Sequence, residues 1–142
     1  MAGIVALLSA ISLTVAVAWA FKLRNGRFSD RPSDADAQVL TPADIGAELG
    51  ERATLVQFSS AFCSPCRATR VLLTDVAAKV DGVVAVDIDA EEHLEMVRRL
   101  GIVRTPTVLV LDADGAISTR ASGLPRREQV LAALGQAVGD PR

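Results

Sequence analysis

The chain contains only two cysteines, Cys63 and Cys66, which stand two residues apart around Ser64-Pro65 in the stretch SSAFCSPCRATR. A disulfide across so short a loop would constrain too little of the unfolded chain to stabilise the fold appreciably. A thiolate is a nucleophile, however, and a second thiol nearby can attack the mixed disulfide that the first one forms. The pair therefore predicts reversible thiol–disulfide exchange rather than a structural crosslink.

Two cysteines in CxxC spacing are also half of a tetrahedral zinc or iron–sulfur ligand set. The only histidine, His93, lies in the acidic segment EEHLEM, where a solvated side chain is expected. A dimer that pools the cysteines of two chains remains an alternative, as does a redox-silent module that uses the site only for binding. The acidic residues from Asp87 to Glu92 fit neither a calcium loop nor one helix face, so a solvated strand end is predicted there.

The residues around the cysteines predict the elements that must position them. A buried apolar strand, ATLVQFS at 53–59, precedes the pair, and apolar residues at helical spacing continue from Ser64 to Lys79. Cys63 then lies at the first helical turn, where N–H groups and the positive end of the helix dipole favour a thiolate. Cys66 lies one turn further on and points into the protein, which predicts that Cys63 attacks and Cys66 resolves.

The rest of the chain alternates between strand and helix patterns. Helices are predicted from Thr41 to Gly50, from Ser64 to Lys79, over EEHLEMVRRL and from Pro125 to Val138, and strands at 38–40, 53–59, 83–88, 107–112 and 116–122. Strands that alternate with helices and end in a hairpin and a helix predict an α/β fold, in which a mixed sheet is covered on both faces.

A run without charge, AGIVALLSAISLTVAVAWAF, extends from Ala2 to Phe21 and is long enough to cross a bilayer as a helix. Aromatic residues at its end, followed at once by cations, are typical of a membrane interface. A cleaved signal peptide is the alternative, with Ala18-Trp19-Ala20 as its cleavage site, but no basic residue precedes the run. We therefore predict an uncleaved, single-pass membrane anchor at 1–21.

The cations Lys22, Arg24 and Arg27 follow the predicted anchor and none precedes it. This asymmetry predicts a cytoplasmic domain, with an extracytoplasmic domain as the alternative. The net charge of -2 provides no basic excess with which to bind nucleic acid. The segment KLRNGRFSDRPSDAD has mixed charge and few apolar residues, as in a solvated linker. The predicted division is an anchor at 1–21, a juxtamembrane linker at 22–36 and a folded domain at 37–142.

Three stretches of the chain carry a resemblance to a known family. TLVQFSSAFCSPCR resembles the strand and active-site helix of the thioredoxins, VRTPTVLVLDADG resembles their cis-proline segment, and ASGL resembles the glycine that lines their substrate groove. Together the three are more specific than a lone CxxC. The likeness covers about Gln38 to Val138. It implies a thioredoxin fold, with a central mixed β-sheet flanked by helices, here preceded by one N-terminal transmembrane helix.

The resemblance also implies roles for individual residues. Cys63 would be the attacking thiolate and Cys66 the resolving thiol. A cis peptide would precede Pro106 and leave the Thr105 backbone to pair with a substrate, although the residues alone favour an ordinary trans proline. The substrates would be protein disulfides or dithiols, an unidentified donor would supply electrons, and no metal, nucleotide or flavin cofactor is needed. The predicted substrate groove comprises Phe62, Pro65, Thr105, Pro106 and Gly123.

The chain departs from the usual thioredoxin pattern around and beneath the cysteines. Thioredoxins usually have Gly-Pro between the cysteines, and a buried Asp beneath them that pairs with a Lys on the next strand. Here those positions hold Ser64-Pro65, Gln57 and Ala85. An amide cannot take up a proton as a carboxylate can. We expect Gln57 to lie beneath Cys66, so that the resolving step lacks a side-chain base at this position.

Overall fold

The computed structural model of the protein describes residues 2–29 and 38–139. The elements in chain order are α1 (Ala2–Arg24), β1 (Phe28–Ser29), α2 (Pro42–Ile45), β2 (Ala53–Ser59), α3 (Ser64–Lys79), β3 (Val83–Asp89), α4 (Leu94–Arg99), β4 (Thr107–Asp112), β5 (Ile117–Ser122) and α5 (Arg127–Gly139).

The strands form one sheet in the order β1-β5-β4-β2-β3. β2 runs parallel to β3 and antiparallel to β4, while β5 is antiparallel to both β4 and β1. All residues of β2 are buried, because the strand has neighbours at both edges and packing on both faces. The predicted mixed sheet is confirmed, and β2 leads from its interior directly to the cysteines.

Two hydrophobic clusters cover the two faces of the sheet, as the alternation of side chains along each strand requires. Odd-numbered Leu55 of β2 packs with α3 and α5, while its even-numbered neighbour Val56 packs with the α2 and α4 side. The α3–α5 cluster includes Leu55, Leu73, Val76, Val110, Val130 and Leu134. The opposite cluster includes Leu40, Ile45, Val56, Phe58, Leu100 and Leu109. Both clusters contain β2, so this strand is a fixed support for the loop that follows it.

The predicted bounds of β2, α3 and β4 are confirmed, whereas two helices are shorter than predicted. The first predicted helix ends at Ile45 instead of Gly50, because Gly46 adopts a left-handed φ of 67° and caps it. The helix predicted over EEHLEMVRRL covers only Leu94–Arg99. The predicted strand 38–40 is reduced to a single bridge between Val39 and Ala116.

The first part of the predicted linker 22–36 differs from a solvated segment. α1 continues to Arg24, and the N–H of Gly26 donates to the carbonyl of Ser122 at 2.8 Å. Phe28 then pairs with Ala121 of β5, and its side chain packs against the α3–α5 cluster. Residues 25–29 therefore belong to the folded domain, because Phe28 has apolar surface to bury there. Residues 30–36 lie outside the described residues.

α1 is long and apolar enough to cross a membrane between Gly3 and Arg24, and none of it is buried inside the protein. A signal sequence near an N-terminus passes the same test of length and composition. The apolar side chains of α1 are exposed, including Trp19 and Phe21 near the end of the helix.

Asp44 connects the start of α2 to α4. Its carboxylate accepts hydrogen bonds from the backbone N–H of Thr41 at 2.8 Å, from the Thr41 hydroxyl at 2.7 Å and from Nη2 of Arg99 at 3.2 Å. The Thr41 backbone hydrogen bond has the largest effect, and together with the Thr41 hydroxyl and Arg99 it lowers the pKa of Asp44 below 3.8. The interactions of this carboxylate therefore stabilise the folded state only while it is ionised.

We expect Asp44→Asn to lower the free energy of unfolding by about 1 kcal/mol at neutral pH. Because the pKa of Asp44 is lower in the folded chain, its contribution is complete above the unfolded value of 3.8 and is lost as the pH falls through the folded value. The difference between the two proteins should therefore shrink in acid. Urea melts in detergent at neutral pH and at acid pH measure this difference in stability, with the exposed Asp114→Asn as the control. An equal cost at both pH values would contradict the prediction.

Candidate redox site

The cysteines form a Cys63–Cys66 disulfide at the point where β2 gives way to α3. Cys63 is the N-cap of α3, and its Sγ accepts a hydrogen bond from the backbone N–H of Cys66 at 3.2 Å. Cys66 is 1% exposed, whereas Cys63 is only partly buried. The predicted arrangement is confirmed: the first sulfur is accessible at a helix N-terminus and the second is inside the protein.

The proline loop that faces the end of the sheet contains a cis peptide between Thr105 and Pro106, as the resemblance implies. The carbonyl of Pro106 accepts a hydrogen bond from the N–H of Gly123 at 2.7 Å. The hydroxyls of Thr105 and Ser60 lie 3.0 Å apart, so the loop is also bonded to the segment that leads into the cysteines. Three predicted groove residues are thus brought together, and Ser60 is a neighbour that sequence reasoning missed.

Gly123 has a φ of 94°, and a Cβ at this position would lie 1.8 Å from Oδ1 of Asn25. Glycine is therefore required here by the backbone and by the close approach of the turn that follows α1. Phe62 and Pro65, the other predicted groove residues, flank the cysteines with exposed side chains. Phe62 is fully exposed at 102%, which leaves its ring available to a binding partner.

Arg104 joins the proline loop to the end of α1. Its Nη2 donates to the carbonyl of Ser122 at 2.8 Å and to Oδ1 of Asn25 at 3.1 Å. In the sequence, the stretch from Asn25 to Gly26 is a common turn signal, but its contact with a loop some 80 residues later leaves no local pattern. Asn25 is therefore a neighbour of the predicted groove that only the structure reveals.

Gln57 lies beneath Cys66, as expected, and contacts its backbone. Its Nε2 donates to the carbonyl of Cys66 at 2.8 Å, and the residue is 1% exposed. Its Oε1 is buried and has no hydrogen-bond partner among the described residues. Gln57 and Ala85 line the same cleft, which has a volume of about 150 Å³ and is also bordered by Asp87. No lysine or carboxylate occupies the positions of Gln57 and Ala85, so this part of the site holds a neutral amide.

Asp87 is exposed near the end of β3, as its sequence predicts, and it also takes part in an ion pair. Its Oδ2 accepts hydrogen bonds from Nε and Nη2 of Arg70 at 3.0 and 2.6 Å and from the hydroxyl of Ser59 at 3.1 Å. It is also the register partner of Gln57 across the parallel β2–β3 pair. The ion pair forms because Arg70 lies on the face of α3 that packs against β3. The Arg70–Asp87 ion pair thus borders the same cleft as the uncharged Gln57.

The acidic segment after β3 makes local contacts. The N–H of Glu91 donates to Oδ1 of Asp89 at 2.8 Å, and Nδ1 of the exposed His93 lies 2.9 Å from the carbonyl oxygen of Asp89. Within 2–29 and 38–139, no group of three or more His, Cys, Asp or Glu side chains is arranged to hold a metal ion.

Comparison with known proteins agrees with this geometry. The Thioredoxin family profile matches residues 37–136. The thioredoxin of Alicyclobacillus acidocaldarius is 31% identical over 102 residues, which are 70% of this chain and 96% of that protein. Human thioredoxin domain-containing protein 2 is 31% identical over 100 residues, which are 68% of this chain but only 18% of that protein.

Among solved structures, a chloroplastic thioredoxin z superposes with a TM-score of 0.57 and 26% identity, over 63% of this chain and 81% of that one. Together with the Cys63–Cys66 disulfide, these similarities support thiol–disulfide oxidoreductase activity. On the profile match, the relatives and the fold, the chain belongs to the thioredoxin family.

Proposed function

We propose that the chain is a membrane-anchored enzyme that exchanges disulfides with protein substrates, with Cys63 attacking and Cys66 resolving. The difference in burial between the two sulfurs carries this proposal. A substrate sulfur must meet its attacker in line, so a cysteine that is 1% exposed cannot be reached first. Cys63, at the N-terminus of α3, is the accessible sulfur and has the surroundings that favour a thiolate.

In the reducing direction, the Cys63 thiolate attacks a substrate disulfide, forms a mixed disulfide and releases one substrate thiolate. Cys66 then loses its proton and attacks the Cys63 sulfur. This step releases the second substrate thiolate and leaves the Cys63–Cys66 disulfide, so two electrons have passed to the substrate. A thiol or dithiol donor must return two electrons for another cycle. The reverse sequence oxidises a substrate dithiol.

The substrate groove in this proposal comprises Phe62, Pro65, Thr105, Pro106 and Gly123. The exposed ring of Phe62 would supply apolar contact area, and the Thr105 backbone would pair with an extended substrate segment. The hydrogen bonds of this loop to Gly123 and Ser60 support the assignment, because they fix the loop before a substrate arrives.

Trapping of clients tests the assigned roles. We expect Cys66→Ser to accumulate mixed disulfides with client proteins on non-reducing gels, because the thiol that would release them is absent. Cys63→Ser should accumulate few, since its remaining sulfur is buried. The variant without either cysteine is the control for non-covalent capture. Equal trapping by both single variants would contradict the roles. Retention of zinc by the wild type, lost in each single variant, would favour the metal-binding dimer, and client capture without the cysteines would favour the binding module.

We further propose that α1 is an uncleaved anchor and that the domain lies in the cytoplasm. The exposed apolar surface of α1 and the cations Lys22 and Arg24 at its end support this. A reporter that works only in the cytoplasm, fused to the C-terminus, should be active, and the full chain should stay in the membrane through an alkaline wash. Activity of an export-dependent reporter at the same place would reverse the orientation, and release by the wash would exclude the anchor.

A further inference from the structure

The end of α1 is held on the side of the domain that carries the proline loop. Asn25 continues the helix, because its N–H donates to the carbonyl of Phe21 at 2.9 Å. The next residue, Gly26, is hydrogen-bonded to Ser122, and a Cβ at Gly26 would lie 2.0 Å from the carbonyl oxygen of Leu124. The turn is therefore in close backbone contact with β5 and the residues after it. Within residues 2–29, no solvated segment separates α1 from this contact with β5.

The same turn reaches the groove through two residues. Oδ1 of Asn25 accepts a hydrogen bond from Arg104, which immediately precedes the Thr105–Pro106 peptide. The Asn25 side chain also packs against Gly123, whose N–H is bonded to the carbonyl of Pro106. Two residues thus connect the proline loop to the turn after α1: Arg104, which precedes the cis peptide, and Gly123, which is bonded to Pro106.

Side chains typical of a membrane interface surround this junction. One cleft, of about 330 Å³, is lined by Trp19 and Leu23 of α1 and by Leu124 and Arg126 of the domain. A second, of about 460 Å³, is lined by Phe21 and Arg24 of α1 and by Arg104. Aromatic residues and cations at one level are what the boundary between hydrocarbon and anionic headgroups favours. Here the domain contributes Leu124, Arg104 and Arg126 to that level.

A helix of 23 residues is about 34 Å long, so it spans a hydrocarbon core of about 30 Å with its end at the headgroups. The headgroup layer on each side is about 5–8 Å thick. Groups hydrogen-bonded to Asn25 therefore lie in that layer or against it. This placement is independent of which side of the membrane the domain occupies.

We propose that the domain rests on the surface of the bilayer that α1 spans, with its substrate groove at the level of the headgroups. The substrates are then disulfides that membrane proteins carry close to the bilayer surface. This inference depends on the anchor described under the proposed function. Arg104 is a positioning residue in this arrangement, because it connects the turn after α1 to the proline loop.

Fluorescence quenching tests the position of the domain. Trp19 is the only tryptophan, so Trp19→Phe removes the background, and Leu124→Trp or Asp81→Trp then supplies one reporter. Asp81 is exposed and precedes β3, at the opposite end of the sheet from the cysteines. In vesicles of phosphatidylcholine and phosphatidylglycerol, brominated lipid should quench the Leu124→Trp protein several-fold more than the Asp81→Trp control. Equal quenching of the two reporters would overturn the proposal.

Substrate geometry tests the groove itself. The probe is one disulfide-linked fluorescent peptide, either free in solution or attached to a lipid headgroup by a short tether. The variant carries ten inserted Gly and Ser residues between Arg24 and Asn25. The insertion releases the domain from α1, while the turn that begins at Asn25 stays attached to the domain. The insertion should lower the reduction rate of the tethered peptide by about tenfold, because the groove leaves the surface. Reduction of the free peptide should be unchanged.

If the groove faced away from the bilayer, the insertion would raise the rate on the tethered peptide, since a flexible link would let the groove reach it. That increase, or an unchanged rate, would overturn the proposal. Loss of activity on the free peptide in both proteins would instead contradict the proposed enzyme, and the quenching measurement would still decide the position of the domain.

Discussion

Gln57→Asp is expected to speed the resolving step on the order of 100-fold near neutral pH, because it places a general base beneath Cys66. In the wild type, the amide donates to the Cys66 carbonyl and cannot take up a proton, so the Cys66 proton must leave to water or to the departing thiolate. Turnover of the wild type should therefore rise with pH toward the thiol pKa of about 8.5. Stopped-flow reduction of insulin across pH measures both profiles.

The same substitution should lower the free energy of unfolding by roughly 1–3 kcal/mol at high pH, because a buried carboxylate replaces an amide. Burial raises the pKa of such a carboxyl, and the carboxylate of Asp87, opposite position 57 in the β2–β3 register, acts in the same direction. The penalty is therefore absent below the unfolded pKa of about 3.9 and complete above the folded value. Denaturant melts across pH should show this window.

Gln57→Asn is the matched control, since it shortens the side chain in the same way without adding a charge. It should keep the wild-type pH profile of turnover and show no pH-dependent loss of stability. Adding Ala85→Lys to Gln57→Asp should recover part of the stability through an ion pair on neighbouring strands, although burial limits the gain. If Gln57→Asp and Gln57→Asn resolved at equal rates, position 57 would not be the proton site.

Gly115→Ala is expected to lower the free energy of unfolding by about 2–5 kcal/mol, from a strained backbone and a steric clash together. Gly115 lies in the turn between β4 and β5 with a φ of 85°, and a Cβ there would lie 2.2 Å from the carbonyl oxygen of Leu40. The backbone of Leu40 is hydrogen-bonded to Gly115 at 2.9 Å, so it cannot move away without losing that bond.

Gly46→Ala separates the two causes. Gly46 has a similar φ of 67°, but no atom lies within 4 Å of the position that a Cβ would take. Its substitution should therefore cost only the backbone strain, about 1–2 kcal/mol. Urea melts of the two variants and the wild type in detergent provide the comparison. Equal losses in the two variants would mean that the contact with Leu40 adds nothing.

The parts of the fold that the sequence predicted correctly depend on local signals. β2 is a continuous buried segment and α3 has apolar residues at helical spacing, and the position of Gln57 beneath Cys66 follows from the resemblance to the thioredoxins. The contact between Asn25 and Arg104 could not be predicted, because it joins residues that are 79 apart in sequence. The ion pair between Asp87 and Arg70 could not be predicted for a similar reason, since the two residues belong to different elements.

The bounds of two helices, α2 and α4, were also predicted incorrectly. The pattern after Thr41-Pro42 continues to Gly50, yet α2 stops at Ile45 because Gly46 adopts a left-handed conformation that competes with the helix. The short α4 has no side-chain cap at His93, so its start could not be placed from a capping signal.

The pairing of β1 with β5 affects how the protein is made. The hydroxyl of Thr119 in β5 donates to the carbonyl of Ser29 across a separation of 90 residues. α1 and residues 25–29 leave the ribosome before the strand that receives them, which is translated about 90 residues later. With α1 as the membrane anchor proposed above, the nascent chain enters the membrane before its sheet can close, and the domain must form from β2 onward without its first strand. Pairing of β5 with β1 then completes the sheet, and it joins β5 to a segment that the proposed anchor has already placed beside the bilayer.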